Sequence, residues 1–259
     1  VKIPTSVKSI GTGAFADCRS LKEVKIPTSI DKIEDGSFYE CSALEQMTIP
    51  HSVKSIGKLA FAECSALKEV KIPTSVESIG NNAFAECSAL KEVKIPDSVK
   101  SIGPHAFFKC SALLNVTIPN SVRIIDLYTF TNCYKLKEVT IPDSVETIWL
   151  SAFKSCRSLV KVTIPNSVKT IGAAAFQNCS SLVEVTIPHS VKSIGNYAFE
   201  GCTALKKVTH STWTKIETHS FYKCNKELIF NRIIPKKSML SIKTRNTKKN
   251  NTSKIESLN

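Results

Sequence analysis

The sequence uses few of the residue types that usually diversify a globular core. Aromatic residues make up 7% of its 259 residues, and tryptophan and methionine occur twice each. A chain of this length can form one domain with a sizeable core or an elongated array. A core drawn from so few residue types favours the array.

Long apolar runs and known catalytic motifs are also missing. No run of 18 apolar residues occurs, so no membrane-spanning helix is expected. The sequence has no Gly-x-Ser-x-Gly, P-loop, His-Glu-x-x-His or dinucleotide-binding motif. Its five histidines have no second ligand at metal spacing, and no Cys-x-x-Cys pair occurs. We therefore expect no enzyme activity, no bound metal and no cofactor.

The sequence is instead dominated by a 23-residue repeat. Proline recurs at this spacing nine times, as at Pro50, Pro73 and Pro96. Phenylalanine precedes the cysteine by three residues in the first nine units, and leucine follows each of those cysteines by three. The unit reads L-x-x-V-x-I-P-x-S-V-x-x-I-G-x-x-A-F-x-x-C-x-x. So many columns at one spacing indicate an internally repeated architecture.

Each unit predicts one coil of a solenoid. Residues such as 24–26 alternate apolar and polar side chains, which predicts a short strand, and the following proline ends it. Residues such as 52–57 predict a second extended piece, and residues such as 60–64 a short helical or 3₁₀ turn. A single coil cannot bury its own apolar face, but stacked coils place equivalent residues in columns and bury a continuous core.

The repeat resembles the BspA-like, Treponema-type leucine-rich repeat, whose pattern L-x-x-V-x-I-P-x-x-V-x-x-I-G-x-x-A-F-x-x-C is matched from Val1 to Cys224. The resemblance implies an α/β solenoid, a right-handed superhelix of about ten 23-residue coils. Its parallel sheet would form the concave face, with short helical or 3₁₀ turns opposite. The resemblance also implies a non-enzymatic protein-binding module, at the cell surface or secreted, that takes part in adhesion to host matrix or other cells. The family has no catalytic residues to carry over.

Departures from the repeat mark local changes and the end of the array. Asp126 and Trp149 replace the glycine of the sixth and seventh coils, which predicts a bulge or a changed turn there. In the last coil, His210 and Ser211 replace the Ile-Pro pair. We therefore predict a solenoid over residues 1–224, with an atypical last coil over 208–234 that acts as a C-terminal cap.

The two ends of the chain predict different things. Val1 lies inside a repeat and no secretory signal is visible, so we expect a fragment or a processed form. Nine of the 35 Lys and Arg residues but only two acidic residues follow Asn225. Such a basic segment attracts nucleic acid or anionic lipid. Because residues 235–259 contain few apolar side chains, we interpret them as a disordered, solvated tail, and we predict no nucleic-acid partner.

The ten cysteines form a single column of the repeat. Disulfides are an option in a secreted chain, but parallel stacking would point neighbouring cysteines the same way rather than toward each other. We interpret them as reduced, buried structural thiols. Unpaired thiols also leave open an alternative, a cytoplasmic scaffold for protein–protein interaction.

Two outward-facing strand columns, which flank the buried valine, are the candidate partner-binding surface. The candidate residues are Glu23, Lys25, Glu69, Lys71, Glu92, Lys94, Thr117, Glu138, Thr140, Thr163 and Thr186. The N-terminal half suggests a checkerboard of Glu and Lys that pairs opposite charges across strands. The C-terminal half suggests a threonine ladder, which also suits a strand for purely structural reasons. We predict a protein or glycan ligand on this face.

Overall fold

The computed structural model describes residues 1–233, in which the chain winds as a solenoid of parallel strands. The largest sheet has nine strands: β2 (Gln46–Thr48), β4 (Glu69–Lys71), β6 (Glu92–Lys94), β8 (Asn115–Thr117), β10 (Glu138–Thr140), β12 (Lys161–Val162), β14 (Glu184–Thr186), β16 (Lys207–Ser211) and β18 (Ile229–Ile233). The register joins residues 23 positions apart, as in Val70 and Val93. This parallel stacking confirms the predicted solenoid, while the predicted tail at 235–259 lies outside the described residues.

A second side of each coil forms shorter strands in two further sheets. The four-stranded sheet contains β1 (Lys32–Ile33), β3 (Ser55–Ile56), β5 (Ser78–Ile79) and β7 (Ser101–Ile102). The five-stranded sheet contains β9 (Ile124–Ile125), β11 (Thr147–Ile148), β13 (Thr170–Ile171), β15 (Ser193–Ile194) and β17 (Lys215–Ile216). Each of these short strands except β17 ends on a buried isoleucine.

The third side of the coil is a series of turns, and residues 1–233 contain no α-helix or 3₁₀ helix. Two residues in each coil have a positive φ, for example Leu59 (57°) and Glu63 (61°). Only three residues lie between them, which is too few for a helical turn to continue. The expected helical turn is therefore replaced by a turn that contains two left-handed residues. The described part of the chain accordingly has no helix long and apolar enough to cross a membrane.

The core is built from columns of identical side chains. Ten phenylalanines stack along the solenoid with ring centroids 5.2–5.5 Å apart and interplanar angles of 1–10°. The eight phenylalanines from Phe38 to Phe199 are fully buried. The eight leucines that follow the cysteines of the repeat by three residues, from Leu44 to Leu205, are also fully buried. Each coil therefore contributes the same layer to one continuous core.

Serine hydroxyls connect neighbouring coils. Seven serines at equivalent positions each donate to a backbone carbonyl of the preceding coil at 2.5–2.7 Å, as Ser75 does to Val53. Ser190 is the exception, because its buried hydroxyl has no hydrogen-bond partner. These hydrogen bonds act between coils, which only the stacked structure makes possible.

The ladder on the second side is interrupted where Asp126 replaces glycine. The equivalent Gly103 packs so closely that an added Cβ would lie 2.7 Å from the Asn81 nitrogen. Asp126 has this Cβ, and its N–H donates to no backbone carbonyl of the preceding coil, so β7 and β9 do not pair with each other. The predicted disturbance is therefore present at Asp126. At Trp149 the ladder from β9 through β11 to β13 is continuous, and the prediction of a disturbance there was wrong.

The last coil extends the main sheet beyond the length of the other strands. Proline follows the Ile of the earlier coils, but His210 and Ser211 occupy these two positions here, so β16 runs for five residues. Strand β18 pairs with all five of them. Phe230 of β18 meets Phe221 edge to face, with ring centroids 5.1 Å apart.

Candidate binding surface

The structure places all the predicted site residues at exposed positions, but three of them lie outside the strands of the nine-stranded sheet. All eleven are exposed. Eight lie in strands of the nine-stranded sheet: Glu69, Lys71, Glu92, Lys94, Thr117, Glu138, Thr140 and Thr186. Thr163 directly follows β12. Glu23 and Lys25 lie outside the sheet, because Lys25 forms only an isolated bridge to Lys2.

The charge arrangement in the N-terminal half differs from the expected checkerboard. Glu69 lies opposite Glu92, and Lys71 lies opposite Lys94. Lys71 forms its one ion pair with Glu69 of its own strand, at 3.7 Å. The prediction that opposite charges pair across strands was wrong, because a parallel ladder with a 23-residue offset brings identical repeat positions together. The result is one pair of facing carboxylates beside one pair of facing ammonium groups, with uncharged side chains at the same positions of the strands before and after.

Opposite charges do alternate farther along the same column. Glu138, Lys161, Glu184 and Lys207 are successive register partners. No two of these four described residues form an ion pair with each other. In the neighbouring column, Thr117 lies opposite Thr140, and Thr186 opposite Thr209. The surface therefore changes along the solenoid from two like-charge pairs to alternating charge beside hydroxyl groups.

A cavity of about 400 Å³ lies at the C-terminal end of this surface. Its lining includes Thr163, Glu184, Thr186, Pro188, Ser211 and Ile233. Two of these, Thr163 and Thr186, were predicted site residues, but the cavity itself was not predicted. The signal in the sequence was the loss of the Ile-Pro pair at His210 and Ser211, because this loss lengthens β16.

The cysteine column lies within the core. Nine cysteines, from Cys41 to Cys224, direct Sγ at a phenylalanine carbonyl of the preceding coil, at 3.1–3.3 Å. All ten thiols are free, and eight are buried. Burial raises the pKa of Cys41 to about 11 and that of Cys179 to about 12.

This setting gives the thiols a structural role, because each buried sulfur fills the core and contacts one carbonyl of the coil before it. Within residues 1–233, no group of three or more His, Cys, Asp or Glu residues is arranged to hold a metal ion.

These features define a class, the leucine-rich-repeat solenoid. The profile of the family described as "BspA type Leucine rich repeat region (6 copies)" matches residues 1–114 and 100–228. The chain therefore belongs to the BspA-type leucine-rich repeat family, which confirms the resemblance seen in the repeat. No curated protein sequence matches the chain.

Solved bacterial leucine-rich repeat proteins have similar structures. One from Bacteroides ovatus is 34% identical with a TM-score of 0.84, and the match covers 90% of this chain and 63% of that protein. The chain thus spans less than two thirds of that protein's length. The T. pallidum leucine-rich repeat protein is 28% identical, with a TM-score of 0.57 and coverage of 70% and 77%. A leucine-rich cell surface protein from Faecalibacterium prausnitzii is 26% identical, with a TM-score of 0.54 and coverage of 95% and 82%.

Proposed function

We propose that this chain is a non-enzymatic binding module at the cell surface or in secreted form. Its protein partner contacts the outward columns of the nine-stranded sheet, and the resulting function is adhesion to host matrix or to other cells. Leucine-rich repeat families generally act in protein interaction, and the chain belongs to one of them. The F. prausnitzii relative, similar over most of this chain, is itself a cell surface protein.

The observation that carries the proposal is the two like-charge pairs that β4 and β6 present side by side. Glu69 and Glu92 lie in register on neighbouring strands, as do Lys71 and Lys94. Neighbouring strands are roughly 4.8 Å apart, and like charges directly opposite each other are unfavourable in a sheet. A partner with charges of the opposite pattern would relieve this repulsion in both pairs, and complementary charge also speeds association.

Binding to defined partners tests the proposal. The full chain is immobilised and offered a panel of purified extracellular-matrix proteins and intact host cells. The double variant Lys71→Glu, Lys94→Glu should weaken binding by about tenfold or more, because it places like charges against the partner. The control variant Lys58→Glu, Lys192→Glu makes the same change in charge at exposed positions outside the sheet. Equal loss in both variants, or no binding by the wild-type chain, would count against the proposed surface.

A second candidate is a cytoplasmic scaffold, and the ten free thiols favour it. Structural disulfides are common in oxidising compartments, whereas thiols persist in reducing ones. Fractionation of the source cells, with protease treatment of intact cells, separates the two candidates. Digestion of the protein on intact cells supports the surface location, and protection until the cells are lysed supports the scaffold.

A further inference from the structure

We propose that the cavity at the C-terminal end of the nine-stranded sheet binds one bulky apolar side chain from an extended peptide segment of the partner. This inference rests on the proposed function, since the cavity adjoins the same sheet surface. Thr163 and Thr186 belong both to the threonine column and to the cavity lining. An extended segment lying along the column would therefore reach the cavity directly.

The cavity exists because the last coil breaks the repeat. In the preceding coil, β14 ends at Thr186 and Pro188 follows two residues later. Without a proline at the equivalent position, β16 continues to Ser211 and β18 runs beside it to Ile233. Ser211 and Ile233 line one part of the cavity, and Pro188 lines another. The extra strand length thus adds a wall that the regular coils lack.

The lining suits an apolar group. It includes the buried Ile164 and Ile187 and the more accessible Pro188 and Ile233. Ile233 is 51% exposed in the free protein, so an occupant would cover apolar surface that is now in water. Ligand pockets in proteins span roughly 300–1,000 Å³, so about 400 Å³ is at the small end of this range. Such a space fits a single large side chain better than a long ligand.

The polar residues around this apolar surface suit the main chain of the partner's peptide segment on either side of the bound apolar side chain. Lys161 and Glu184 line the cavity as register partners, yet they form no ion pair with each other. Thr163 and Thr186 add hydroxyl groups that both donate and accept hydrogen bonds. A peptide main chain presents donors and acceptors in alternation, which this mixed set of groups can satisfy. Apolar anchors in pockets with polar surroundings are typical of protein interfaces.

Short peptides that differ at one position test the assignment. Three acetylated and amidated pentapeptides carry central Phe, Leu or Ala between the same Ser and Thr residues. Each is titrated into the isotope-labelled full chain, and amide resonances are followed by NMR. We expect the Phe and Leu peptides to shift the resonances of Thr186, Ile187 and Ser211. The Ala peptide should bind at least about tenfold more weakly, because it leaves the apolar walls uncovered.

A pair of matched variants locates the site. Thr186→Tyr places a larger side chain at the cavity, whereas Thr74→Tyr makes the same change at an exposed turn position outside both the nine-stranded sheet and the cavity lining. We expect Thr186→Tyr to weaken binding of the Phe peptide by about tenfold or more and Thr74→Tyr to leave that binding unchanged. Unchanged spectra of the rest of the chain show that each variant is folded.

Several results would overturn the inference. The three peptides could fail to bind, could all bind equally well, or could be affected equally by the two Tyr variants. A neutral oligosaccharide could also shift these resonances when the peptides do not. The larger proposal is tested separately by Lys71→Glu, Lys94→Glu. If matrix binding depends on these lysines but the chain does not bind the Phe peptide, the cavity assignment is refuted and the larger proposal is not.

Discussion

Replacing each of two adjacent alanines by glycine, in two separate variants, tests whether the left-handed residues of the turns are strained. Ala174 has a φ of 52°, and the equivalent residues of the first two coils are Gly13 and Gly36, with φ of 64° and 60°. Ala173 precedes it in the sequence, is also partly exposed and has no positive φ. Ala173→Gly and Ala174→Gly therefore change the same atoms in two different backbone conformations.

The two substitutions should act in opposite directions. A left-handed residue with a Cβ costs roughly 1–2 kcal/mol, which Ala174→Gly removes. Glycine adds unfolded-state entropy that costs about 0.5–1 kcal/mol at either position. The net result is stabilisation by about 0.5–1 kcal/mol at Ala174 and destabilisation by a similar amount at Ala173. The backbone hydrogen bonds remain, including that from the Ala174 nitrogen to Asn196 O at 2.8 Å.

Thermal unfolding followed by circular dichroism measures the difference. A difference of about 1–2 kcal/mol corresponds to about 2–8 °C in Tm for a domain of this size. The stability of a solenoid is roughly the sum of the stabilities of its coils, so Tm reports on the whole chain. Hydrogen exchange of the backbone amide at position 174 measures the free energy of local opening in this coil alone. Equal shifts of Tm in the same direction for both variants would refute the strain argument, because entropy alone would then explain them.

Three other perturbations test the inter-coil contacts. Ser167→Ala should destabilise the chain by about 1 kcal/mol, because Ser167 donates to Val145 O at 2.7 Å, whereas Ser190→Ala should be nearly neutral in the same urea titration. A larger loss at Ser190 would contradict this account. Phe107→Ala should cost about 3–5 kcal/mol, since the ring is fully buried between two stacked neighbours; a loss below about 1 kcal/mol would mean that the column relaxes. A thiol reagent should label exposed Cys18 first and the buried cysteines only on unfolding, as measured by mass spectrometry of digested protein; early labelling of the buried thiols would contradict their place in the core.

The limits of sequence reasoning are clearest at the outward strand positions. Alternation around Val70 and Val93 correctly predicted that Glu69, Lys71, Glu92 and Lys94 are exposed. Which of them face each other depends on the register between coils, and a checkerboard was the wrong choice. The 23-residue period already requires identical positions to stack, so the sequence itself contains the information that like charges face each other here.

The backbone conformation of the turns and the presence of the cavity were harder to predict from the sequence. Left-handed conformation at Leu59 and Ala174 has no signal in these side chains, because most residues avoid it and only glycine favours it. The hydrogen bonds between coils hold the backbone there, and those bonds exist only once the coils are stacked. The cavity likewise depends on how far β16 and β18 extend past the level of Thr186, where β14 ends, and a strand prediction for one coil does not describe this.

The sequence by itself determined the period, the buried columns and the family, because these follow from which residue types recur at a constant spacing. Stacking then follows from the need of each coil to bury its apolar face against a neighbour. Only the tertiary structure decided which more distant groups meet: serines bonded to the preceding coil, thiols directed at carbonyls and a cavity beside the last strand. Those contacts join residues 22 or more positions apart, so their geometry is set by packing rather than by local preference.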